Sequence, residues 1–177
     1  MRVVYFGSGD FAVPTLRWLV NSRHELLLAV TQPDRPAGRG KALQPTPVAL
    51  RAVQDGVETL KCDNVNAPEI VDRLRSLGAD IAVVAAFGQK LLEPLRSVFP
   101  VGCINLHASL LPKFRGAAPI NAAILAGETR TGVSVFRLVD RMDAGPVLLT
   151  RQTAIGSTET AGELHDRLAG ICCDAIG

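Results

Sequence analysis

Five short apolar runs, VVYF (3–6), LLLAVT (26–31), IAVVAA (81–86), CINLH (103–107) and VSVFRLV (133–139), are separated by stretches long enough for amphipathic helices. A strand that is apolar on both faces must be covered on both faces, and a parallel sheet with crossover helices does this. Helices are expected near 11–21, with Pro14 in the first turn, and near 45–55, 67–77 and 117–126. Together these signals predict an α/β fold, a doubly wound, mainly parallel sheet with helices on both faces. The final stretch opens with TAGE (160–163), the pattern of a capping box in which Thr160 caps and Glu163 reaches back. Leu164, Leu168, Ile171, Cys172 and Ala175 then give the apolar face of a helix. With 177 residues, 47% of them hydrophobic, the chain suits one compact domain over 1–177.

Charge and targeting signals exclude several classes. The net charge of +2 is too small to argue by itself for a nucleic-acid or membrane partner. The start, MRVVYFGSGD, lacks the layout of a signal peptide, and no apolar run reaches the roughly eighteen residues of a spanning helix, so a cytoplasmic location without a membrane partner is expected. Cys62, Cys103, Cys172 and Cys173 form no Cys-x-x-Cys pair and have no His at ligand spacing. They read as reduced, partly buried thiols, and no metal site is expected.

The helix and strand pattern fails between Gln32 and Pro47, where QPDRPAGRGKALQPTP holds four prolines and two glycines. A long exposed loop is expected there. It leaves the C-terminal end of a strand, the side on which open α/β sheets bind ligands. Arg35, Arg39 and Lys41, offset only by Asp34, suit a polyanion.

Two further stretches carry candidate chemistry. GSGDFA (7–12) follows a strand, opens a helix and matches G-x-G-x-x-A. A dinucleotide site also wants an acidic residue ending the second strand, but that strand ends Ala29, Val30, Thr31. The glycines therefore suit the close approach of some other ligand. CINLH places Asn105 and His107 two residues apart, on the same face of a strand. An amide N–H that stabilises an oxyanion beside an imidazole that handles a proton suits attack on a carbonyl carbon. Such a histidine needs a carboxylate partner, and Asp140 or Asp143 in RLVDRMDAGP, just after the last apolar run, could serve. Ser109 lacks the strand-turn-helix setting of a hydrolase nucleophile, so direct transfer without a covalent enzyme intermediate is the simpler expectation.

These residues resemble a known family. INLHASLLPKFRG (104–116), followed by AAPIN and a later DAGPVLL, is similar to the signature of the folate-dependent formyltransferases, which move a formyl group from 10-formyltetrahydrofolate to an amine. Within that family, TQPDRPAGRGK (31–41) and RGAAPI (115–120) resemble the branch whose acceptor is initiator methionyl-tRNA. The resemblance implies a catalytic trio of Asn105, His107 and Asp143, selecting Asp143 over Asp140. It implies a folate site that includes Ala86, Phe87, Gly88, Gln89 and Leu91 in AAFGQKLL, with VDRMDAG (139–145), including Asp140, as another wall, and Ser109 either beside the folate or bonded locally. It assigns Arg35, Arg39 and Lys41 to the tRNA acceptor end. Full members of the family carry a second, C-terminal β-barrel domain, which 1–177 does not include. Two rival readings are an acceptor that is a small-molecule amine, and a non-catalytic fragment that binds folate or RNA.

Overall fold

The computed structural model describes residues 1–37 and 42–177, which form two compact units, Met1–Cys103 and Ile104–Gly177.

In the first unit β1 (Arg2–Gly7) leads through a short 3-10 turn, Asp10–Ala12, into α1 (Val13–Val20) and then β2 (Glu25–Thr31). A two-stranded antiparallel ribbon follows, β3 (Arg35–Ala37) and β4 (Ala42–Gln44). Next come α2 (Pro47–Gln54), β5 (Thr59–Lys61), α3 (Pro68–Ser76), β6 (Ile81–Ala85) and α4 (Glu93–Arg96). Strands β5, β2, β1 and β6 lie side by side in that order, all parallel. The chain thus runs outward from β1 to β2 and β5, then returns to the other side of β1 as β6. Sheets of this kind bind ligands where the strand order reverses, here at the C-terminal ends of β1 and β6.

Helix starts follow the sequence. Thr46 caps α2 by accepting the Ala49 N–H at 3.0 Å, and Pro47 stands where its missing N–H costs nothing. Pro14 lies in the first turn of α1, as its position predicted. Tyr5, Phe6, Leu16, Leu19, Leu28 and Leu74 are fully buried in this unit, each contributing about 1.5–3 kcal/mol by leaving water. Trp18 on α1 is half-buried and packs against the His24 ring.

Strand β7 (Gly102–His107) starts in the last two residues of the first unit and continues into the second, where α5 (Pro119–Leu125), β8 (Arg130–Arg137), β9 (Val147–Ala154) and α6 (Ala161–Ile176) follow. Two strands are the exceptions in a mainly parallel sheet: β8 runs antiparallel to β7, and β9 antiparallel to β8. The alternation of apolar runs and helices does not encode strand direction, and the edge strand β9, VLLTRQTA, is too exposed and polar to read as a buried run. Helix α6 packs on β8 and β9 and on α5, burying Leu164, Leu168 and Cys172. Its capping box is formed: Thr160 accepts the Glu163 N–H at 3.3 Å, and Glu163 accepts the Thr160 N–H at 2.8 Å.

The loop expected over 32–47 is thus partly a ribbon. Among the described residues no helix is long and apolar enough to cross a membrane.

Candidate active site

Asn105 and His107 occupy alternate positions of β7, so both side chains leave the same face. Their antiparallel partners on β8 are Phe136 and Ser134, which share that face. The Phe136 ring stands edge-on to the imidazole, with centroids 6.4 Å apart. His107 is 93% buried, so its charge interactions are little screened by water.

The two ring nitrogens have different partners. Nε2 lies 2.8 Å from the Phe114 carbonyl oxygen. A carbonyl can only accept, so Nε2 carries the hydrogen and Nδ1 of the neutral ring keeps its lone pair. Nδ1 faces Asp143 Oδ2 at 3.8 Å, too long for a hydrogen bond and close enough for strong Coulomb attraction once the ring is protonated. The same Oδ2 accepts the Gly116 N–H at 2.8 Å, which fixes the carboxylate. Of the two aspartates left open by residue chemistry, Asp143 stands against the imidazole and Asp140 is exposed. Among the described residues the Asn105 amide has no hydrogen-bond partner, and the residue is only half-buried, so its N–H groups remain available to an incoming oxygen.

Local backbone geometry supports this arrangement. Phe114 and Asp143 adopt the left-handed conformation, with φ of 53° and 46°, which costs of order 1–3 kcal/mol for a residue with a side chain. The turn that carries Asp143 requires Gly145, since a Cβ there would come within 1.8 Å of the Arg137 carbonyl oxygen. Between His107 and Phe114 the chain is held by buried hydroxyls. Ser109 Oγ donates to the Lys113 carbonyl at 2.6 Å, and Ser134 Oγ donates to the Ser109 carbonyl at 2.7 Å while accepting the Leu111 N–H at 3.0 Å. Ser109 therefore makes the local backbone bond that was one of its two expected uses.

The segment expected to meet the folate, Ala86–Leu91, follows β6 in the first unit. Ala86 is exposed with φ of 43°. Its carbonyl accepts the N–H groups of Ser8 and Gly9 at 3.2 and 3.3 Å, so the GSG turn is stitched to this segment just past the C-terminal ends of β1 and β6. The Phe87 carbonyl accepts from Ser8 Oγ and from Gln32 Nε2, each at 3.0 Å. Gly88 has φ of 83°, and a Cβ there would sit 2.2 Å from Gln32 Nε2. The Gln89 side chain is engaged with Val65 N–H and the Cys62 carbonyl, and Leu91 is buried.

Of the basic residues, Arg35 is exposed and donates to Gln32 Oε1 at 2.8 Å; Arg39 and Lys41 lie outside the described residues. Asp34 pairs with Lys61 at 2.5 Å, so it is offset from outside the loop. All four cysteines are free thiols, three of them buried. Burial pushes the Cys62 and Cys172 thiols up, away from the thiolate form a nucleophile needs.

Residue chemistry alone missed three contributors. The Phe114 carbonyl and the Gly116 N–H are backbone groups, which leave no side-chain signal. Ser134 did leave one, a lone hydroxyl inside the apolar run VSVFRLV.

An imidazole with a defined tautomer, a carboxylate against its free nitrogen and an amide on the same strand face are groups that can move a proton and stabilise an oxyanion at a carbonyl carbon. Residues 1–172 match the family model described as formyl transferase, and the chain belongs to that family. It is 48% identical over 176 residues to the methionyl-tRNA formyltransferase of Methylococcus capsulatus, covering 99% of this chain and 57% of that one. It is 44% identical over 176 residues to that of Geotalea daltonii, covering 99% and 56%. The chain thus spans a little over half the length of these curated relatives. Among solved structures, glycinamide ribonucleotide transformylase 1 from Geobacillus kaustophilus aligns at a TM-score of 0.80 and 26% identity, covering 98% of this chain and 93% of that one. Its counterpart from Symbiobacterium toebii aligns at a TM-score of 0.81 and 20% identity, covering 98% and 82%, a likeness of fold.

Proposed function

We propose that this chain is the catalytic domain of a methionyl-tRNA formyltransferase, which transfers a formyl group to the α-amine of initiator methionyl-tRNA in the cytoplasm. The choice of acceptor rests on the 48% identity over 176 residues to a protein of that name. The site geometry supports the chemistry.

The formyl carbon that the amine attacks is supplied by 10-formyltetrahydrofolate. The free N–H groups of Asn105 suit its developing oxyanion, a contribution of about 10²–10³ in rate for one donor. His107 acts through Nδ1, because Nε2–H is committed to the Phe114 carbonyl. Nδ1 takes the proton that the amine loses as the new C–N bond forms, and can return it to the nitrogen that leaves the formyl carbon. Asp143, 3.8 Å away, favours the imidazolium in between and shares in the relay. In this reading Asp143 stabilises the charge that His107 acquires, while Gly116 keeps the carboxylate aimed.

The backbone of Ala86, Phe87, Gly88, Gln89 and Leu91 is assigned to the folate's heterocycle, as is the 139–145 turn with Asp140. Ala86, exposed and in the left-handed conformation, suits a close approach. Since the Ser109 hydroxyl is taken by Lys113, its part is to shape the loop. Arg35, Arg39 and Lys41 are assigned to the tRNA acceptor end, where cations release counterions from phosphates.

The test is formyl transfer by this chain, in parallel, to methionyl-initiator tRNA and to a small free amine at equal concentrations. Transfer to the charged tRNA with little to the free amine supports the reading. Preferential transfer to the free amine would favour the small-molecule rival instead, and folate binding with no transfer to either would favour a binding fragment.

A further inference from the structure

We propose that Ser134 is a positioning residue for His107, and that its hydroxyl fixes the imidazole in the Nε2–H tautomer. For its effect on rate this rests on the function proposed above; for its effect on the ring it does not.

Ser134 is fully buried and lies directly opposite His107 in the ladder between β7 and β8. One hydroxyl performs two tasks there, donating to the Ser109 carbonyl and accepting the Leu111 N–H. Both partners belong to the segment that leaves β7 just after His107. Ser109 closes the same segment from inside through the Lys113 carbonyl, and the Lys113 N–H bonds the Leu110 carbonyl at 3.1 Å. The next residue is Phe114, whose carbonyl holds Nε2–H. Hydrogen bonds and the short stretch of backbone between them therefore link the β8 hydroxyl to the far nitrogen of the imidazole.

That link decides chemistry as well as shape. The neutral ring has two tautomers, and only a fixed acceptor at one nitrogen selects between them. With the Phe114 carbonyl in place the lone pair is on Nδ1, toward Asp143. If the loop relaxes, the carbonyl moves, and the ring can place its hydrogen on Nδ1 against the carboxylate instead. The nitrogen that must accept a proton would then already carry one. A purely structural serine would affect stability without affecting this choice.

The test uses ¹⁵N chemical shifts of the His107 ring in the whole chain, without substrates, at about two pH units above the ordinary imidazole value of about 6.5. The unmodified chain and Ser134→Thr, which keeps the hydroxyl, should show the Nε2–H form alone, and Ser134→Ala should show a mixture. If the chain transfers formyl groups, Ser134→Ala should also lower kcat more than it changes KM, with Ser134→Thr restoring it. A single Nε2–H tautomer retained in a folded Ser134→Ala overturns the proposal, whatever the activity. If that variant does not fold, exchange of the Leu111 amide hydrogen in the unmodified chain decides. Strong protection supports the bond to Ser134, and exchange at the rate of a free peptide amide overturns it. Absence of formyl transfer alongside the expected tautomers would count against the proposed function and leave Ser134's role standing.

Discussion

The imidazole of His107 and the carboxylate of Asp143 face each other at 3.8 Å, while the hydrogen bond of the ring is made at its other nitrogen. The carboxylate accordingly acts on the charge of the ring, and the Phe114 carbonyl on its tautomer. This division of labour makes the two contributions separable by mutation.

Asp143→Asn should leave the loop in place, because an amide oxygen can still accept the Gly116 N–H, yet the charge that favours the imidazolium is gone. A fall in kcat of about 10²–10⁴, the range for disabling general acid–base catalysis, is expected in steady-state kinetics, with KM for the folate little changed. Near-normal kcat in a folded Asp143→Asn would remove Asp143 from the mechanism.

Arg35→Ala tests the basic loop. If Arg35 meets a phosphate, the slope of log affinity for methionyl-tRNA against log salt should become shallower by about 1, uniformly across tRNA sequences, while folate binding is unchanged. An unchanged salt slope would mean that Arg35 makes no phosphate contact.

Glu159 receives hydrogen bonds from Arg167 and from the Gly156 N–H, which hold its carboxyl below the usual carboxylate range. A lowered value in the folded state means that stability is present above the unfolded value of about 4.3 and is lost as pH falls through the folded value. Urea midpoints for the unmodified chain and Glu159→Gln should therefore differ most near neutral pH and converge in acid. A difference that stays constant or grows toward low pH contradicts this.

Thr160→Ala removes the cap of α6 and should cost about 1 kcal/mol in urea unfolding, within a range of about 0.5–2 kcal/mol. Formyl transfer per folded molecule should be unaffected, since the helix packs on β8 and β9 and supplies no residue to the site. A loss of kcat in the folded variant would show that the helix does more than support the sheet.

Much of this was legible in the sequence, in proportion to how local the signal is. The capping box at Thr160, the prolines that open helices and the five apolar runs are short-range patterns, and each became the expected element. Strand direction is not local: VSVFRLV reads as a buried strand, but nothing within it says that it runs antiparallel to CINLH. The exposed edge strand β9 and the three-residue strand β5 were missed because one is too polar and the other too short to stand out. For the site, strand periodicity put Asn105 and His107 on one face, and the family signature separated Asp143 from Asp140. Neither could reveal that a carbonyl at Phe114 determines which nitrogen of His107 is free, since that depends on a loop conformation held by hydroxyls 25 residues apart.

The most direct measurement is transfer of radiolabelled formyl from 10-formyltetrahydrofolate to methionyl-initiator tRNA by this 177-residue chain, beside His107→Ala, with both substrates at high concentration. Measurable transfer by the unmodified chain, reduced about 10²–10⁴-fold in the folded variant, is the expected result. Equal transfer by the two proteins would contradict the assignment of His107 as the proton-handling group.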